Sequence, residues 1–239
     1  MSKLLHMAWS LRVLARLLAY PDAELRAQLG ALRDALHDER ALNSSRLVEL
    51  DALIDRLRSP RSFDTEAVYV ETFDRGRGTA LHLFEHVHGD SRDRGPAMVD
   101  LVKTYEAAGL LLGPDELPDH LCVVLEYAST QPAEQARAFL REVSHILQVI
   151  FSALNKRRSP YAIVIAAVLD LAGEKAQTVK LPEEPALDDS WAEPMAFDGC
   201  STQGQARPGQ PQPIQIVKNP ARPAGPSRAA APPAPGASA

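Results

Sequence analysis

From residue 2 to residue 19 apolar side chains recur at steps of three and four, at Leu4, Leu5, Ala8, Leu11, Ala15 and Leu18. That period puts them on one face of an α-helix. Ser2 is placed to cap this helix and Pro21 to follow its end. A second helix starts at Asp22, a natural N-cap, with Leu25, Leu29, Leu32 and Leu36 in one stripe. A third covers about Ser45 to Arg58 through Leu47, Leu50, Ile54 and Leu57 and stops at Ser59-Pro60; a fourth follows Ser62 and reaches about Phe73. There the pattern breaks, because Asp74-Arg75-Gly76-Arg77-Gly78 sets two glycines among charges. Helical signals resume around Pro96 and end at Gly109, and a short helix follows Pro118. The longest predicted helix runs from about Pro132 to Leu154 on Ala136, Phe139, Val143, Leu147, Ile150 and Leu154. The last opens at Ser159-Pro160 and ends at Gly173. No stretch sustains an alternation of period two, so the expected fold class is all-α, a single compact domain of about eight helices with a disordered C-terminal tail.

Composition sets the boundary of that domain. Of the 19 prolines in 239 residues, twelve lie from Pro182 on, whereas 11 of the 13 aromatic residues lie before it. Material able to build a core therefore ends near residue 180, and the organisation reads as a helical domain over 1–180, an extension over 181–198 and a tail over 199–239. The extension carries six acids and no base, with Trp191, Met195 and Phe197 among them. It reads either as a solvated linker or as a peptide that folds back on the domain or meets a partner. The tail is rich in Pro, Gly and Ala, the composition of a disordered segment.

Several functions lose support at this level. The longest apolar run, Tyr161 to Leu169, is less than half of the ~20 residues a membrane-spanning helix needs, so no membrane insertion is expected. Lys3, Arg12 and Arg16 interrupt the apolar N-terminus, which argues against a secretory signal. Cys122 and Cys200 stand alone in their segments, as in a chain of the reducing cytoplasm. The net charge of −5, with no long basic stripe, argues against nucleic acid.

Chemistry concentrates in Phe73 to Gly95, where His82, His86 and His88 fall among four arginines and four acids. His82-x-x-Glu85-His86 matches the H-x-x-E-H pattern of inverted zinc peptidases, in which two imidazoles four apart on a helix hold the metal and the Glu is the base. A third ligand in a comparable motif is missing; Glu106, Glu116 and His120 are the candidates. The competing reading is a polar loop held together by these groups and presented to a partner. Gly76 to Gly78 lacks the strand and third glycine of a dinucleotide loop, no Walker sequence exists, and no nucleophile motif surrounds a serine or cysteine. Cys122 reads as a core residue on an apolar helical face. The second unusual place is Glu116-Leu117-Pro118-Asp119-His120. Its acids suit a helix start. His120 does not, and pairs better with a carboxylate.

These two places resemble one known family. FDRGRGTALHLFEHVHGDSRDRG, then MVDLVKTYEAAGL and ELPDHL, is very similar to the nitrate reductase assembly chaperones of the NarJ type, once called the delta subunit, a branch of the TorD-like redox-enzyme maturation proteins. The likeness spans about Leu4 to Phe197 and includes WAEPMAF. The wider family often carries Glu-Pro-x-Asp-His; here the proline stands one place later. The resemblance implies a cytoplasmic, non-catalytic, all-helical chaperone that binds the N-terminal peptide of the apo alpha subunit of nitrate reductase. It would hold that subunit open for insertion of the molybdenum cofactor, delay membrane docking and then leave. No stably bound cofactor or metal is expected, and cofactor delivery proteins are further candidate partners. Asp74, Arg75, His82, Glu85, His86, His88 and Asp90 would order the motif loop and offer polar contacts to the client, with Glu116, Asp119 and His120 as a second patch facing it. Tyr69, Phe73, Phe84, Tyr105 and Tyr127 are the candidate groove walls. The alternatives are the zinc hydrolase and a helical adaptor with another client.

Overall fold

A computed structural model describes residues 6–58, 62–88 and 92–181, with the side chains of 62 and 63 outside that description. Asp90, and the extension and tail from residue 182 on with Trp191, Met195, Phe197 and Cys200, lie outside the described residues. Ten α-helices follow one another within them: α1 (Ala8–Leu17), α2 (Ala23–Glu39), α3 (Ser44–Leu57), α4 (Ser62–Phe73), α5 (Leu83–Val87), α6 (Arg94–Ala107), α7 (Leu121–Thr130), α8 (Ala133–Glu142), α9 (Ser144–Lys156) and α10 (Ala162–Ala172). A single 3-10 turn, Arg77–Thr79, sits between α4 and α5. No strand occurs among the described residues, only an isolated antiparallel bridge between His82 and His120. The all-α expectation holds.

The centre is α10. Its sequence AIVIAAVLDLA is apolar on every side, which suits a helix surrounded by others. It packs against α8, α9, α3 and α1, and Val164, Ile165, Val168 and Leu169 have no exposed surface. Gly173 stops it in the left-handed region at φ +83°, a conformation glycine adopts without strain. On the other side α1 packs on α7 and α2, with Leu11, Leu14, Leu17 and Leu18 fully buried. Cys122 is part of this contact: its thiol donates to the Ala15 carbonyl at 3.2 Å, and burial pushes its pKa up to about 12, the behaviour of an inert core thiol.

The caps separate what a local pattern determines from what it does not. Asp22 accepts from Leu25 N–H at 2.7 Å and Asn43 from Arg46 N–H at 2.9 Å, so α2 and α3 carry their own caps. The start of α1 does not. It lies at Ala8, after the non-helical His6 and Met7, and Met7 offers no side-chain cap; the cap expected at Ser2 lies outside the described residues. Instead the Glu39 carboxylate, from the last residue of α2, accepts from Trp9 N–H at 3.0 Å and Ser10 N–H at 2.6 Å. A carboxylate at a helix N-terminus satisfies orphan donors and meets the positive end of the dipole. Glu39→Ala is expected to lower stability by about 1–2 kcal/mol, read as a lower urea midpoint with an unchanged slope; a wild-type midpoint would show that water replaces this cap without loss.

The single long helix expected from Pro132 to Leu154 is two. Val143, at φ −92° and ψ 1°, separates α8 from α9. Both halves still reach α10, and the apolar stripe continues through Ala136, Leu140, Leu147, Ile150 and Leu154. A bend at one nearly helical residue leaves the apolar period intact, so periodicity does not register it.

Candidate functional site

Three stretches build the polar centre: the segment between α4 and α5, the first residue of α6, and the five residues before α7. Gly76 begins the first. A Cβ there would stand 2.6 Å from both the Arg157 guanidinium and Thr79 Oγ1, so a side chain cannot be accommodated while Arg157 lies across the turn. Thr79, fully buried, donates to the Thr72 carbonyl and holds the turn closed.

His82 follows with extended backbone, φ −86° and ψ 106°, and forms the N-cap position of α5. Leu121 N–H donates to Leu81 O at 2.8 Å and Leu83 N–H to Asp119 O at 3.0 Å, which clamps the motif loop to the segment before α7. Asp119 completes the clamp. Its carboxylate accepts from Phe84 N–H at 3.1 Å, lies 3.4 Å from His82 Nδ1 and pairs with Arg94 at 3.6 Å, with no exposed surface. Arg94 also reaches Glu85 at 3.6 Å. Burial pushes the Asp119 carboxyl up, but the His82 contact, the Phe84 N–H and Arg94 outweigh it and hold the group below its ordinary 3.8. The same contact with Asp119 raises His82 above 6.5 against its partial burial. His120 goes the other way, lowered by burial and by His82, whose ring centroid is 5.0 Å away. One imidazole of the pair therefore favours its charged form and the other its neutral form.

Two concavities flank this clamp. A polar cavity of about 350 Å³ has Tyr69, Phe73 and Leu81 as its floor and Asp74, Arg77, His82, Glu85 and His120 around it. A larger groove of about 560 Å³ runs between α1, α2 and α7. Its lining is mainly apolar and includes Trp9, Val13, Leu32, Tyr105, Leu111 and Tyr127. Glu116 and Glu126 stand on it with Arg12 and Arg16. Burial and the nearby Glu116 raise the Glu126 carboxyl.

The residues expected to face a client thus divide. His82, Glu85, His120 and Asp74 border the polar cavity, while Glu116 borders the groove and accepts from Gly113 N–H at 3.0 Å. Asp119 does not face outward, since its carboxylate has no exposed surface; it positions the histidine and the start of α5. Arg75 pairs with Glu71 at 3.1 Å on the exposed end of α4. His86 bonds the Ala80 carbonyl at 2.9 Å, and His88 packs edge-on against Phe84 at 5.7 Å. Tyr69 and Phe73 border the cavity, and Tyr105 and Tyr127 border the groove with ring centroids 4.7 Å apart. Phe84 borders neither.

The zinc reading is corrected by this geometry. It needs His82 and His86 on one helical face, but His82 precedes α5 in extended backbone, and the two rings are engaged by Asp119 and by Ala80 O. Among the described residues no group of three His, Cys, Asp or Glu is placed to hold a metal.

Sequence reasoning missed Trp9, Arg94 and the Leu110 to Leu112 run. Trp9 carried a signal, a large aromatic off the apolar stripe of α1, as did three leucines in the loop between Gly109 and Gly113. Arg94 carried none, because its partners Glu85 and Asp119 are set by tertiary structure.

A family model described as nitrate reductase delta subunit matches residues 18–167. The nitrate reductase molybdenum cofactor assembly chaperone NarJ of Escherichia coli K12 is 38% identical over 195 residues, covering 82% of this chain and 83% of that protein. NarW of the same strain, named a probable chaperone of the same kind, is 38% identical over 193 residues, covering 77% and 80%. Among solved structures, one described as a redox enzyme maturation protein from Archaeoglobus fulgidus aligns with a TM-score of 0.50 over 71% of this chain and 95% of its own, at 18% identity, a likeness of fold alone.

Proposed function

The chain belongs to the nitrate reductase delta subunit family, and from that membership we propose that it is an assembly chaperone for a molybdenum nitrate reductase. It binds the apo catalytic (alpha) subunit through that subunit's N-terminal peptide, keeps it open while the molybdenum cofactor is inserted, and departs before membrane docking. The observation that carries this reading is the 38% identity to NarJ over most of both chains. The relatives are named as assembly chaperones, and the chain is not an enzyme.

The groove supports the reading physically. An amphipathic helix presents apolar residues at i, i+3, i+4 and i+7, and a groove lined by Trp9, Val13, Tyr105, Leu111 and Tyr127 offers an apolar floor for such a face. Glu116 and Glu126 on its border offer partners to basic residues of the client, and Arg12 and Arg16 on the same border offer partners to acidic ones. The polar cavity with His82, Glu85 and His120 is the second contact. Cofactor delivery proteins reach the open client while it is held. The site of action is the cytoplasm; no helix among the described residues is long and apolar enough to cross a membrane.

Calorimetric titration with a synthetic peptide copying the alpha subunit's N-terminus tests the reading. One peptide per chain, at micromolar affinity or tighter, is the expected result, a binding free energy of about −8 kcal/mol or better. A folded protein that gives no binding heat at high micromolar peptide removes the reading.

A further inference from the structure

On the reading that the groove takes the client helix, we propose that Arg94 is a positioning residue of that groove, acting from the far end of α6 through Asp119. Arg94 is the first residue of α6 and Tyr105 lies in its last turn, about 16 Å away along the axis. Both hold the same short segment. Arg94 pairs with Asp119 at 3.6 Å, and the Tyr105 hydroxyl donates to the Pro118 carbonyl at 2.8 Å. That segment is itself the wall between the two concavities, with Glu116 on the groove and His120 on the polar cavity.

Arg94 and Tyr105 are the anchors of α6 that reach the segment before α7. Broad helix packing joins α1 to α7 and α10 to α8 and α9 but leaves α6 out. Tyr105 is its buried residue, whereas Met98, Leu101 and Val102 are half-covered and Val99 is exposed. The groove wall hangs from its end: Leu110 N–H donates to Tyr105 O at 3.0 Å, and Gly109 turns the chain at φ +78° with open space around it. Anchoring Arg94 therefore sets where Tyr105 and the Leu110 to Leu112 run stand. Without the anchor an incoming helix must order that wall itself, which weakens binding chiefly through faster release.

The test compares Arg94→Gln, Arg94→Lys and Tyr105→Phe with the wild type, using the synthetic N-terminal peptide of the alpha subunit. Affinity is read by calorimetry, release by stopped flow, and folding by urea unfolding. Arg94→Gln is expected to bind about five- to tenfold more weakly, mostly in the off-rate, at urea concentrations where it is fully folded. Lysine restores most of that loss, and Tyr105→Phe added to Arg94→Gln costs less than the two separate losses combined, since both act on one segment. A role in stability alone would leave the off-rate of the folded protein and its rescue by lysine unmoved. A folded Arg94→Gln with the wild-type isotherm overturns the inference. Should that variant not fold, Tyr105→Phe, which frees the same segment at the other end of α6, is titrated in its place, and a folded Tyr105→Phe with the wild-type isotherm overturns it. A wild type that binds no peptide takes down the client reading and this inference together, whereas a binding wild type with unaffected variants takes down this one alone.

Discussion

Asp119→Ala is expected to cost about 3 kcal/mol of stability, a large share of the ~5–15 kcal/mol that holds a domain of this size. The carboxylate has no exposed surface and serves three partners: Phe84 N–H, His82 and Arg94. Alanine leaves the N–H at the start of α5 without its acceptor and Arg94, one quarter exposed, with a weakened counter-charge. Asp119→Asn keeps an acceptor for Phe84 and loses only the charge, so about half of the loss is expected. Its pH profile distinguishes the two contributions. Asp119 is lowered below 3.8, so its stabilisation is complete above that value and disappears as pH falls through the depressed folded pKa. His82 is raised above 6.5, so its share is complete below 6.5 and is lost as pH rises through the elevated folded pKa. The pair therefore contributes most between about pH 4 and 6.5. His120, lowered from 6.5, resists protonation in the folded chain and so favours unfolding as pH falls through that value. The difference between wild type and Asp119→Asn cancels the burial part of the His120 effect and keeps what Asp119 and His82 themselves exert on that ring, so it reports the coupled cluster of Asp119, His82 and His120. Urea midpoints from pH 3 to 9 should show that difference shrinking at both ends; a flat difference would mean that charge pairing contributes nothing here.

The course of α10 was legible because a helix apolar at every position but Asp170 and closed by a glycine needs only local rules. The cap of α2 was legible for the same reason, with Asp22 two residues after Tyr20 and one before the helix. The break at Val143 was not, since the stripe that defines the helix passes through it unchanged. The polar site was half-legible. Two clusters of unusual composition were visible, but not that a backbone bridge joins His82 to His120 across 37 residues of sequence and buries Asp119 between them. That arrangement turns the acid of Glu116-Leu117-Pro118-Asp119-His120 from a surface group into a clamp. Even Glu39, which caps α1 from the end of α2, reads along the sequence as one more surface acid. Contacts between remote segments carry no local period, so the chemistry of a site is seen before its geometry.

Trp9→Ala should separate folding from client binding more sharply than any change in the polar site. Trp9 is 59% exposed, its ring resting 5.3 Å from the Arg12 guanidinium, so its removal uncovers little core and is expected to change stability by less than about 0.5 kcal/mol. Leu111, at 87% exposure on the same groove, is freer still. Large apolar side chains left uncovered together on a concave surface suit a partner that covers them. Tryptophan is the residue most often found to dominate an interface when buried by the partner, with losses of about 2 kcal/mol or more on truncation. Trp9→Ala is therefore expected to weaken the alpha-subunit peptide by about thirtyfold or more, and Leu111→Ser by about tenfold, each with a wild-type urea midpoint. Arg12 is a useful contrast. It also donates to Ser129 at 3.1 Å, so a change there mixes a structural effect with a binding one. If folded Trp9→Ala and Leu111→Ser both bind as the wild type does, the groove is not where the client sits. The polar cavity between Tyr69, His82 and His120 then becomes the place to look, with Glu85→Gln as the first variant to titrate.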